Sequence, residues 1–385
     1  MNRFICIGLI LITCIACERH SEDSGSVDDH NWKLFRGNTR LNGYVEKYLP
    51  EEPVLLWTFK GGKRTVSSPV IDNGTTYWCD RKGLINGVDI NGKLSFSYNL
   101  NTSVEATPMI HDSILYIGRI DGYLTALSLA NKDTVWNYET LGQISASPNI
   151  AQLKNGANIL FGSYDNYFYC LNHENGQLVN KFESGYYING AAALKGNHVL
   201  FGGCDAWLRI INYRTGIPTD SLLLDAYLPS SPAIMGKYCY IGDYTGNVYE
   251  ILLSKGKIAG SKKIREPESD NESFVSIPAV SCKSVYIYAG DRHLLSIDRE
   301  TGKTNFKYML KGDVGDSAPV VSRNKLIVCT KDGIVSILDN KTGELLWEYD
   351  TGEQIVASPA VISDHFMILT TKGTLFCFGK KTDRT

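Results

Sequence analysis

Along most of the chain, apolar and polar residues alternate in short runs that end at Gly, Asp or Asn. One stretch shows the pattern in full. Ser317-Ala318-Pro319-Val320-Val321 and Lys325-Leu326-Ile327-Val328-Cys329 are apolar runs, and the turn Lys331-Asp332-Gly333 follows them. Ile334-Val335-Ser336-Ile337-Leu338 then alternates, Asp339-Asn340-Lys341-Thr342-Gly343 turns, and Leu345-Leu346-Trp347-Glu348-Tyr349 closes the unit. A period of two between Gly and Asp turns predicts four antiparallel strands, and no helical spacing interrupts them.

The unit repeats. A proline opens its first apolar run at Pro69, Pro108, Pro148, Pro232, Pro278, Pro319 and Pro359, in steps of 39, 40, 84, 46, 41 and 40 residues. The step of 84 is double, and Gly190-Ala191-Ala192-Ala193 fills its midpoint without a proline. A four-stranded unit of roughly 40–45 residues is the size of a propeller blade. The chain is therefore expected to be all-β, an eight-bladed β-propeller of four-stranded antiparallel blades. Pro cannot donate to a ladder, so it belongs at an innermost strand whose free edge faces the central channel. The last copy ends at Leu375-Phe376-Cys377-Phe378 with three strands, and Leu55-Leu56-Trp57-Thr58-Phe59 near the start matches Leu345-Leu346-Trp347-Glu348-Tyr349. Pairing the two would let an N-terminal strand complete the last blade and close the ring.

Residues 1–16 read as a lipoprotein signal peptide: Arg3, an apolar stretch from Phe4 to Ala16, then Cys17. The stretch is too short to span a bilayer. Cys14-Ile15-Ala16-Cys17 resembles a bacterial lipobox, which implies lipidation of Cys17, with Cys14 a second candidate. Acyl chains suffice to hold a protein at a membrane. Residues 17–30 are Ser-rich and acidic, a flexible tether, and residues 31–380 form the propeller. A net charge of −2 with 21% charged residues leaves no nucleic-acid footprint. Of ten cysteines, seven remain beyond the leader, mostly beside apolar residues, and read as small buried hydrophobes.

The pattern Asp339-x-x-Thr342-Gly343-x-x-x-Trp347 resembles the docking motif of quinoprotein-like propellers built from pyrroloquinoline-quinone-type (PQQ-like) repeats. Ala126 and Trp136 keep its spacing, as do Ser296, Asp298, Thr301, Gly302 and Phe306. Trp32-Lys33-Leu34-Phe35-Arg36-Gly37-Asn38 resembles the leader before the first blade of such proteins. The motif lapses at Asn180 and in the copy that follows, so blades four and five are expected to be the least regular part of the ring. The family's dehydrogenases use pyrroloquinoline quinone and Ca²⁺, an adjacent Cys pair and long inter-blade insertions. This chain has no adjacent Cys pair and mostly minimal connections, so neither cofactor, no metal site and no catalytic residue is expected.

What remains is a binding platform. Loops between blades share one face with the turns between second and third strands. Tyr186, Tyr187, Trp207, Tyr227 and Arg292 lie there, the residue types that anchor interfaces. Among quinoprotein-like propellers, the chain is most similar to lipoproteins of outer-membrane β-barrel assembly. That resemblance implies a non-enzymatic scaffold in the bacterial envelope, lipid-anchored to the outer membrane and monomeric within a complex of envelope proteins. The alternative is a carbohydrate- or small-ligand-binding surface lipoprotein. A quinoprotein dehydrogenase ranks third.

Overall fold

The computed structural model describes residues 30–267, 277–290 and 292–380. Cys17, the signal and most of the tether lie outside them, as does most of the acidic connection after Arg265. The described strands form eight four-stranded antiparallel sheets. Blades 1 to 7 span residues 70–99, 109–139, 149–183, 193–223, 233–265, 279–309 and 320–350, each running from an innermost to an outermost strand. Blade 8 takes residues 360–379 and, as its outermost strand, Val54–Lys60. There Leu55 faces Phe378 and Phe59 faces Leu375, so the first and last strands share a sheet. The apolar residues of successive blades pack face to face into continuous clusters around the ring.

The channel edge of the innermost strands is not open, in contrast to the expectation from the prolines. The leader winds around it and pairs with one blade after another. Trp32 exchanges both backbone bonds with Ile71 of blade 1, and Lys33 O accepts from Ile110 of blade 2. Thr39 O accepts from Leu194 of blade 4, Arg40 O from Ile234, Asn42 O from Val280 and Gly43 O from Val321. The leader therefore satisfies ladder groups that a ring would otherwise leave unpaired. Arg36 is fully buried in its middle, with Nη1 donating to Pro319 O at 2.6 Å and Nη2 to Pro278 O at 3.3 Å. Burial lowers its pKa to about 9, still well above neutrality, so the guanidinium is a cation held by carbonyl dipoles. The leader leaves past Lys325, whose buried ammonium donates to Pro50 O at 2.6 Å.

Hydroxyl-to-backbone bonds beside the first strands tie five of the eight blade junctions. The hydroxyls of Thr107, Ser147, Ser231, Ser358 and Ser68 accept backbone N–H bonds from Ser68, Thr107, Ala191, Ala318 and Ser358 of the preceding blades. The last of these joins blade 8 to blade 1. The copy without proline has Ala192 in its place and still takes part through Ala191.

The outermost strands lock neighbouring blades. Trp57 Nε1 donates to Ile90 O at 2.8 Å, and its ring covers Gly92, which adopts φ +82°. Trp136 does the same with His173 O at 3.1 Å and Gly176. Gly is required at these turns because the backbone is left-handed and the ring leaves no room for a Cβ. In blade 2 the left-handed residue is Lys132, and its ammonium lies 5.5 Å from the Phe96 ring centroid. The Asp of the motif caps the turn: Asp339 Oδ1 accepts from Lys341 N and Thr342 N, both at 2.8 Å.

Of the two blades expected to be irregular, blade 4 is not and blade 5 is, and Asn180 itself lies in blade 3. Asn180 Nδ2 donates to Tyr213 O at 2.7 Å over Gly216, replacing the indole N–H, and Asp220 Oδ2 accepts from Ile258 N at 2.8 Å. Blades 3 and 4 are complete sheets with the single register shift of their neighbours, and only blade 5 carries two. Polar side chains perform the docking in blades 3 and 4, and the irregularity is confined to blade 5.

Candidate interaction face

On one face, described inter-blade loops meet the turn between the second and third strands of the next blade. Gln143 O accepts from Tyr164 N, Tyr187 O from Cys204 N, Tyr227 O from Tyr244 N and Asp313 O from Lys331 N. This repeated bond sets loop and turn side chains next to each other around the ring. Across blades 3 to 5 it assembles an aromatic arc. Tyr164 stacks on Tyr187 with centroids 5.0 Å apart, Tyr186 lies 4.5 Å from Tyr187, and Tyr227 stacks on Tyr244 at 4.3 Å. Cys204 occupies the turn between the two groups, and its thiol accepts from Asn189 Nδ2. Burial, then Asp205, raises the Cys204 thiol above its ordinary value, so it stays protonated. Tyr186 and Tyr187 are 48% and 40% exposed and Tyr244 43%, a large phenolic surface in water.

The turn beside this arc is rigid. Burial favours the neutral form of Asp205, but Arg209 overrides it and holds the carboxyl below its usual range. Arg209 Nη1 donates to Asp205 Oδ1 at 2.9 Å, and the other carboxylate oxygen accepts from Gly185 N at 3.1 Å. Trp207 follows that turn and opposes exposed Leu223 of the outermost strand. Arg292 stands apart in blade 6, its Nε 2.7 Å from Asp313 Oδ1 in an exposed pair. The structure thus joins Tyr186, Tyr187 and Tyr227 to one arc, sets Trp207 on its flank, and leaves Arg292 with a different partner. Tyr164 and Tyr244 were missed by sequence reasoning. Their signal was present, because Ser163-Tyr164-Asp165 and Asp243-Tyr244-Thr245-Gly246 occupy the turn that Lys331-Asp332-Gly333 marks in blade 7.

The opposite arc is basic. Between blades 8 and 1, Lys63, Arg64, Arg81 and Lys372 line a groove of about 510 Å³. Arg81 pairs with Glu105 at 2.9 Å. The face is therefore bipolar, aromatic on blades 3 to 5 and cationic across the closure.

The model of the family described as outer membrane protein assembly factor BamB matches residues 42–183 and 272–382. The chain belongs to this family. No curated protein matches it. Among solved structures, BamB from Moraxella catarrhalis is 17% identical with a TM-score of 0.72, covering 87% of this chain and 99% of that one. The quinohemoprotein alcohol dehydrogenase from Comamonas testosteroni is 13% identical with a TM-score of 0.75, covering 93% and 82%. A computationally designed protein, Ika8, is 18% identical with a TM-score of 0.70, covering 85% and 99%. At these identities the likeness to each is one of fold, which binders, enzymes and designs share.

The sequence has no adjacent Cys pair. Among the described residues, the one cluster of three ionisable metal-ligand side chains is His111, Asp112 and His173. Two imidazoles and a carboxylate are a donor set for a transition metal, whereas Ca²⁺ takes oxygens throughout.

Proposed function

We propose that this BamB-family chain is a non-enzymatic, lipid-anchored scaffold of outer-membrane protein assembly, binding an envelope protein through the aromatic arc of blades 3 to 5. Family membership supports the setting. The arc supports the face: five tyrosines from four segments project from rigid loop-and-turn pairs, so an interface could form with little ordering cost. Tyr164 and Tyr187 stack on each other, as do Tyr227 and Tyr244, which spends ring faces that a sugar would need. That favours a protein over a carbohydrate as the occupant. Cys17 is the attachment point of the proposed lipid anchor. No helix of the described residues is long and apolar enough to cross a membrane.

The test is a pull-down from solubilised envelopes with the parent protein and with a Tyr186→Ser/Tyr187→Ser/Tyr227→Ser variant of equal thermal stability. The parent is expected to retain an outer-membrane assembly protein and the variant to lose it. Equal capture by both would rule out the arc, and capture by neither would sink the scaffold reading. Incorporation of labelled palmitate that disappears in Cys17→Ala checks the anchor.

A further inference from the structure

We propose that His111, Asp112 and His173 form a transition-metal site of the Zn²⁺ class that staples blade 2 to blade 3. His111 ends the innermost strand of blade 2, and Asp112 follows it in the turn. His173 belongs to the turn before the outermost strand of blade 3. The two imidazole centroids lie 5.3 Å apart, and His111 Nε2 is 3.3 Å from Asp112 Oδ2. One ligand atom from each of the three residues lies within 4.8 Å of the others. Metal bonds of about 2.0–2.2 Å set neighbouring ligand atoms roughly 3–3.5 Å apart. The His111–Asp112 pair already has that spacing, and a small rotation of His173 supplies the rest.

A second observation favours a ligand over a packed imidazole pair. His173 is 9% exposed, and its Nδ1 is buried without a hydrogen-bond partner. Buried ring nitrogens are normally satisfied, and a metal ion would satisfy this one. The turn is held from the other side, because His173 O accepts from Tyr116 Oη and Trp136 Nε1, both at 3.1 Å. The backbone of the ligand is thereby fixed while its ring remains available. Lys33, a cation whose charge reaches His111, pairs with Asp72 at 2.8 Å. Asp112 is largely exposed, which leaves the remaining coordination positions facing solvent. Three protein ligands with an open side match sites that keep water or take a fourth donor from a partner.

The experiment uses the full chain in detergent, stripped with a chelator, then titrated calorimetrically with Zn²⁺ and followed by the visible absorption of added Co²⁺. The expected result is one saturable Zn²⁺ per chain and Co²⁺ ligand-field bands. Both should be lost in His111→Gln and in His173→Gln, weakened in Asp112→Asn and unchanged in the control His198→Gln. Circular dichroism of each variant reports folding. On the parent protein, Zn²⁺ should also protect His111 from diethyl pyrocarbonate, read by mass spectrometry. Absence of saturable binding, binding that persists in both His→Gln variants, or no protection of His111 overturns the proposal.

Discussion

Single residues decide how the blades lock. Gly176 has φ +69°, and a Cβ there would sit 2.6 Å from the Trp136 ring. Gly176→Ala is therefore expected to cost about 2 kcal/mol or more, from left-handed strain and displaced packing. Gly236→Ala has the same sign of φ but nothing within 4 Å, so it should cost only the strain. Urea midpoints at constant m would distinguish the two, and equal losses would refute the packing argument. The thiols make a second residue-level prediction. Burial pushes Cys170, Cys329 and Cys377 up to about 12, and Cys79 and Cys239 are raised further in the same direction. Exposed Cys282 should react with iodoacetamide in the native protein, half-buried Cys204 more slowly, and these five only on unfolding. Burial of most cysteines was legible from their apolar neighbours. The roles of Asn180 and Arg36 were not, since an amide that replaces an indole N–H and a cation held by two carbonyls 242 and 283 residues away leave no local pattern.

Among elements, the leader is the one whose role the sequence conceals. Its resemblance to a family segment was visible, but its circuit around the innermost strands depends on contacts with blades far along the chain. Strands and turns, by contrast, were legible copy by copy, because alternation and Gly or Asp turns act within a few residues. The circuit predicts hydrogen-exchange behaviour. The amides of Ile71, Ile110, Leu194, Ile234, Val280 and Val321 donate to leader carbonyls and should rank with the slowest in the protein. Arg36→Met leaves Pro278 O and Pro319 O without their donor and should cost about 3 kcal/mol, with faster exchange at Val280 and Val321 first. Uniform acceleration around the ring would show that Arg36 does not act locally. The capped turns add a pH dependence. Asp298 is held below its ordinary value of 3.8 by Thr301 N–H and hydroxyl bonds, so its contribution is present above that value and is lost as pH falls through the lower folded one. Asp298→Asn should flatten the acid limb of the stability curve below about pH 4.

The whole molecule is a ring closed three times: by the shared strand in blade 8, by the bond from Ser358 N to the Ser68 hydroxyl, and by the leader. Closure makes the face a rigid platform, on which three of the five sequence-selected residues converge. Arg292 failed to converge because sequence reasoning could assign a residue to the face but not to an arc of it. The proposed function rests on that face, and the distribution of contacts around it is the direct observable. A photoreactive amino acid placed at Tyr186, Tyr227, Lys63 or, on the far side, Gly236 would be irradiated in native envelopes, and the adducts identified by mass spectrometry. The expected result is adducts with an outer-membrane assembly protein from Tyr186 and Tyr227 and none from Gly236. Adducts from Gly236 alone, or none from either tyrosine position, would contradict it.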